Sequence, residues 1–176
     1  IAGAGLAVAG TTMQSTMKNP LADPYTTGIS SGASFGATMA IILGFTVVGG
    51  SYALVINAFI FSLIPMAVIM VVSTVKHASP TTIILSGLAV MYLFNAMTTL
   101  MMLTADPNAL AEAYTWQVGT LGLIKWEYIP IMFTVILIGC VVLQLLASKI
   151  NVLTSGDEGA KSLGVDADKL RLFSLF

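Results

Sequence analysis

The chain has 176 residues, of which 57% are hydrophobic and only 9% charged, with a net charge of −1. A soluble domain carries about 25% charged residues, so this set cannot furnish a water-facing surface, and a cleavable signal peptide would explain one apolar run rather than several. The net charge says nothing about a nucleic-acid partner and no basic cluster suggests one, while the lone Cys140 excludes an internal disulfide or a multi-cysteine metal site.

In chain order, apolar runs long enough to cross a bilayer are predicted at Ile1–Met17, Gly28–Val48, Ala53–Val75, Ile83–Thr104 and Tyr128–Ala147, and another begins near Lys169. They are long and uniformly apolar, not short and alternating, so the fold class is all-α, a polytopic transmembrane helical bundle. The chain opens inside an apolar run without an initiating Met and stops as another starts, which is expected of a piece of a longer protein.

Between the first two runs lies Asn19-Pro20-Leu21-Ala22-Asp23-Pro24. Each proline lacks a backbone N–H and biases its preceding residue away from helix, so Asn19, Pro20, Asp23 and Pro24 are expected to form a structured turn. Gly28, Gly32 and Gly36 then share one helix face, where absent side chains allow close helix packing; Gly3, Gly5 and Gly10 give the first run a similar character. With part of the bundle missing, the Gly28/Gly32/Gly36 face is expected to be exposed and to promote self-association. Asn57, on the third run, is expected to hydrogen-bond between helices.

The fourth run carries Ser86, Asn95, Thr98 and Thr99 among Met91, Met97, Met101 and Met102. Polar groups in lipid face protein or a water-filled path, so these residues either bond helix to helix or line a pathway. Asp106-Pro107 is a capping signal for a short outer helix through about Trp116, and Trp116, Trp126 and Tyr128 suit an outer interface. Ser155-Gly156-Asp157-Glu158 matches a capping box for a further one- to two-turn helix, with Gly164 suited to end it.

Lys125 alone of the seven Lys/Arg residues falls on the side of the outer loops. The positive-inside rule therefore makes the Asn19–Pro24 turn and the 155–168 segment cytoplasmic. His77 beside Lys76 is read as a residue at the inner membrane edge, not as a metal ligand. No catalytic constellation, metal cluster or Walker-type phosphate loop is present, so neither an enzyme nor a cofactor is expected, and any ATP must be hydrolysed by another chain.

Gly3-Ala-Gly-Leu-Ala-Val-Ala-Gly10, Met13-Gln14, Asn19 to Pro24, Gly28 and Ser31-Gly32-Ala33 resemble the start of FecCD-type permeases. Leu85-Ser-Gly87, Trp116-Gln-Val-Gly119-Thr-Leu, Trp126 and Gly156-Asp-Glu-Gly-Ala-Lys-Ser-Leu-Gly164-Val165 follow in that family's order, so the resemblance spans residues 1–176. These are the membrane subunits of ABC importers for iron–siderophore complexes, haem and vitamin B12. The resemblance implies part of one transmembrane permease domain, covering the second to sixth of ten helices and the start of the seventh. It implies an ATP-binding cassette ATPase, an extracytoplasmic substrate-binding protein and a second permease subunit as partners, in the lipid of a cell membrane. Gly156, Asp157, Glu158, Ala160, Leu163 and Gly164 would form the coupling helix that docks on the ATPase, with Ala160 fitting the partner's groove. Ser79, Pro80 and Thr81 would sit at a cytoplasmic gate, although Pro80 departs from the small polar residue of some members. Asn95, Thr98, Thr99 and Met102 would line the pathway. The expected function is import of an iron chelate or related metal-containing molecule. A secondary transporter without an ATPase is the rival, disfavoured because no ionisable residue lies in the middle of a span.

Overall fold

The computed structural model is helical and describes residues 1–74, 79–119, 122 and 126–174. Lys76, His77 and Lys125 lie outside that set, as do the side chains of Pro80 and Asp157. The helices are α1 (Ala2–Met17), α2 (Ile29–Leu43), α3 (Ala53–Thr74), α4 (Pro80–Leu103), α5 (Pro107–Val118), α6 (Tyr128–Leu153), α7 (Asp157–Ser162) and α8 (Ala167–Ser174). They form two compact units, one of residues 1–24 with 124–176, the other of residues 25–123.

In the second unit α2 packs on α3 and α4 through its glycines. A Cβ on Gly32 would lie 2.8 Å from the Phe61 carbonyl oxygen and 2.9 Å from Pro65 Cγ, and one on Gly36 would lie 2.7 Å from Phe61 Cβ. Pro65 is inside α3 and has no N–H for the Phe61 carbonyl one turn back, and Gly32 is the residue that approaches that carbonyl. Gly28 faces α4 instead, where an added Cβ would lie 3.1 Å from the Gly87 carbonyl oxygen. The glycine face is therefore covered by the chain's own helices. The expectation that it is exposed and drives self-association is corrected, because α3 and α4 already supply its partners.

Phe35 extends the same packing, with ring centroids 5.6 Å from Phe61 and 5.2 Å from Phe94. Asn57 is fully buried on α3. Its Nδ2 donates to the Gly36 and Phe45 carbonyls at 2.6 and 3.3 Å, and its Oδ1 accepts from Val47 N at 3.2 Å. That clamp helps explain a second correction. The predicted run Gly28–Val48 is helical only to Leu43, since Gly44 adopts φ 65°, Phe45 N–H closes back on the Met39 carbonyl, and the Phe45 carbonyl and Val47 N–H bond to Asn57. At about 1.5 Å per residue, α2 is shorter than a bilayer core. Among the described residues three helices, α3, α4 from Thr81 and α6, are long and apolar enough to span one.

In the first unit α1 and α6 run parallel, Gly5 lying close to Ile136 near their starts. Near their ends, Ile150 and Leu153 of α6, Ala160 of α7, and Ala167 and Leu170 of α8 share one apolar core.

Candidate functional site

The second unit holds an open cleft of about 220 Å³ lined by Ser34, Asn95, Thr98, Thr99, Met102 and Gln117. On α4, positions 95, 99 and 102 follow helical spacing and form one stripe. Phe94 and Thr98, one turn apart, are both buried. Thr98 and Thr99 donate their hydroxyl protons to the Phe94 and Asn95 carbonyls at 2.8 and 2.9 Å, leaving oxygen lone pairs as acceptors. Gln117 arrives from α5, its Nε2 3.7 Å from Met102 Sδ. Asp106 positions that helix by accepting from Asn108 N and Ala109 N, with Pro107 at the first helical position, as the sequence predicts.

The cleft thus presents hydroxyl, amide and thioether groups from three helices and no charged side chain. Among the described residues no cluster of metal ligands occurs. Such a lining can hydrogen-bond and then release a polar solute. Ser34 and Gln117 are absent from the sequence-derived list; their polarity in otherwise apolar or amphipathic helices is the signal that marks them.

Ser79, Pro80 and Thr81 form the start of α4. Ser79 is its N-cap, accepting from Thr82 N at 3.2 Å, and Pro80 stands at the first helical position, where its missing N–H costs nothing. Asn19 Oδ1 accepts from Leu21 N at 2.9 Å and Asn19 O from Ala22 N at 3.0 Å, so Asn19 organises the turn that runs to Pro24.

The end of the first unit carries α7. The capping box is not how this helix begins. Helical hydrogen bonds continue past α6 to Gly156, whose φ 99° and ψ 160° are open essentially to glycine alone, and Gly156, not Ser155, is the N-cap. The predicted stop is present: Gly164 has φ 76°, its N–H bonds to Lys161 O, and Val165 N–H bonds to Ala160 O at 2.8 Å, a Schellman turn. Ala160 is 0% exposed, inside the apolar core, whereas Glu158, Lys161 and Leu163 are on the surface. The expectation that Ala160 meets a partner is corrected. Its methyl faces α6 and α8.

Comparison with known proteins follows this geometry. A model of the FecCD transport family matches residues 1–176. The chain is 38% identical over 184 aligned residues to a proposed ABC transporter permease of Methanocaldococcus jannaschii, covering 99% of this chain and 53% of that protein. It is 35% identical over 179 residues to the hemin transport system permease protein of Yersinia pestis, covering 99% of this chain and 54% of that one. A solved ABC transporter of proposed metal-chelate type, in an inward-facing conformation, superposes with a TM-score of 0.89 at 30% identity, covering 99% of this chain and 55% of the other. The chain spans about half the length of the curated relatives it matches.

Proposed function

This chain belongs to the FecCD transport family and has the multi-pass membrane permease fold, and on that premise we propose that it forms part of the permease of an ATP-driven importer for an iron chelate or a related metal-containing molecule such as haem or cobalamin. The family match along the whole chain carries the reading; similarity to a hemin permease and to a metal-chelate type transporter favours the substrate class. The cleft of Ser34, Asn95, Thr98, Thr99, Met102 and Gln117 is the pathway surface on this reading. Its uncharged donors and acceptors suit a bulky chelate whose metal stays wrapped in its own ligands. Ser79, Pro80 and Thr81 are proposed as the inner gate, and α7 as the element that docks on a separate ATPase through Glu158, Lys161 and Leu163. The chain itself contributes no hydrolytic chemistry. A second permease subunit and an extracytoplasmic binding protein complete the assembly.

The test is uptake of a radioiron chelate, or of haem or cobalamin, into proteoliposomes containing the full-length protein and its copurifying ATPase. Uptake is expected to require ATP inside the vesicle. Uptake driven by an ion gradient without the ATPase would instead establish a secondary transporter. Leu163→Asp places a charge on the exposed face of α7, outside the apolar core, and is expected to release the ATPase while leaving the permease folded.

A further inference from the structure

The most deeply buried charge in the described chain has no part in the pathway. Arg171 is 3% exposed on α8, and its Nε donates to the Thr16 carbonyl at 3.3 Å across 155 positions of sequence. The bond completes the end of α1. After Met17 the backbone turns left-handed at Lys18 (φ 51°), so that Asn19 N–H takes the Gln14 carbonyl and Lys18 N–H takes the Ser15 carbonyl. Thr16 has the next carbonyl of this last turn, and Arg171 supplies its donor. A cation is favourable at that negative helix end. The contact is doubled by hydroxyls: Ser174 donates to Arg171 O at 3.1 Å, which leaves Thr16 to donate to Ser174 Oγ at 3.2 Å. Thr16 is 0% and Ser174 7% exposed, so water does not compete for these bonds.

The same buried face of α8 also meets other helices. Ala167 and Leu170 of α8 share an apolar core with Ala160 of α7 and with Ile150 and Leu153 of α6. Helix α8 is therefore joined to α7 by packing and to α1 by a buried guanidinium. We propose that α8 is a strut that transmits displacement of α7 to α1, with Arg171 as its positioning residue, so that α1, the end of α6, α7 and α8 move as one body during transport. The inference rests on the reading of α7 as the ATPase-docking element. A buried arginine on a water-excluded carbonyl suits the task, because breaking the bond strands a helix-end carbonyl away from water, so the joint stays closed.

Two experiments on the full-length transporter with its ATPase test this. In a cysteine-free background, Cys140→Ala included, Thr16→Cys with Ser174→Cys is oxidised. The native hydroxyls lie 3.2 Å apart, so the two side chains are in direct contact. The cross-link should form and leave ATP-driven uptake undiminished. Failure to cross-link, or uptake lost on oxidation and restored by a reductant, overturns the proposal, because α1 and α8 would then have to part. In the second, Arg171→Leu should lower substrate moved per ATP hydrolysed about fivefold or more while ATPase binding persists, with Arg171→Lys partly restoring the ratio. A folded Arg171→Leu transporter with an unchanged ratio overturns it; a variant that does not assemble leaves the decision to the cross-link, which retains Arg171. The docking reading fails separately, through Leu163→Asp: if that variant keeps ATPase binding and uptake, α7 is not the docking element, whatever Arg171 does.

Discussion

At the scale of single residues the fold depends on side chains that are missing as much as on those present. Gly36 lets α3 approach until an added Cβ would lie 2.7 Å from Phe61 Cβ and 2.8 Å from the Asn57 carbonyl oxygen. Neither obstacle is the free end of a flexible chain, so the helices must separate to admit a methyl group. Gly36→Ala is expected to cost about 1–3 kcal/mol, read as a lowered thermal midpoint of the purified protein in detergent. Asn57→Ala acts at the same contact by another mechanism. It removes the side-chain bonds to the Gly36 and Phe45 carbonyls and to the Val47 N–H, each worth about 0.5–1.5 kcal/mol. Because Asn57 bonds to the Gly36 carbonyl, the two substitutions should be non-additive, and a double variant showing the plain sum would count against a shared clamp.

At the scale of elements, the small helix α7 is defined by its two ends. Gly156 sits where only glycine is comfortable and Gly164 closes the Schellman turn. Gly156→Ala is expected to destabilise the α6–α7 connection by about 1–3 kcal/mol, detectable as faster proteolysis near residue 156. Ala160→Trp should be worse, since an indole cannot enter the core of Ile150, Leu153, Ala167 and Leu170 without driving α7 off it. A Trp variant with native stability would contradict the burial. These ends also show what the sequence discloses and what it withholds. Asp106-Pro107 and Gly164 announce their helix ends because capping is local chemistry, complete within a few residues. The end of α2 at Leu43 is not announced: apolar residues continue to Val48, Gly32 and Gly36 inside the helix show that glycine alone does not stop it, and the clamp on residues 45–47 comes from Asn57. The burial of Ala160 is withheld for the same reason, as its neighbours lie on other helices. In the cleft, Asn95, Thr98, Thr99 and Met102 are legible as polar or soft positions on one apolar helix. Ser34 and Gln117 join them only when α2 and α5 are placed.

At the scale of the molecule, the distribution of charge and the geometry of the first unit agree on sidedness. Arg171 joins α8 to the C-terminal end of α1, and α8 packs on the C-terminal end of α6, so both helices finish at one end of that unit. Lys18, Lys149, Lys161 and Lys169 are exposed in or beside these segments, a concentration of cations that the positive-inside rule assigns to the cytoplasm. The Asn19–Pro24 turn, which directly follows Lys18, is then expected inside as well. Leu21 in that turn is 83% exposed and Val118 at the end of α5 is 85% exposed, so both offer accessible positions for a thiol. In full-length protein free of other cysteines, Cys140→Ala included, Leu21→Cys should react with a membrane-impermeant maleimide only after the cells are permeabilised, and Val118→Cys should react in intact cells. The opposite pattern would reverse every helix direction and put α7 on the side without ATP, and the importer reading could not survive it. Because each variant controls for the accessibility of the other, an unreactive pair in intact cells that becomes reactive together on permeabilisation would also count against the topology.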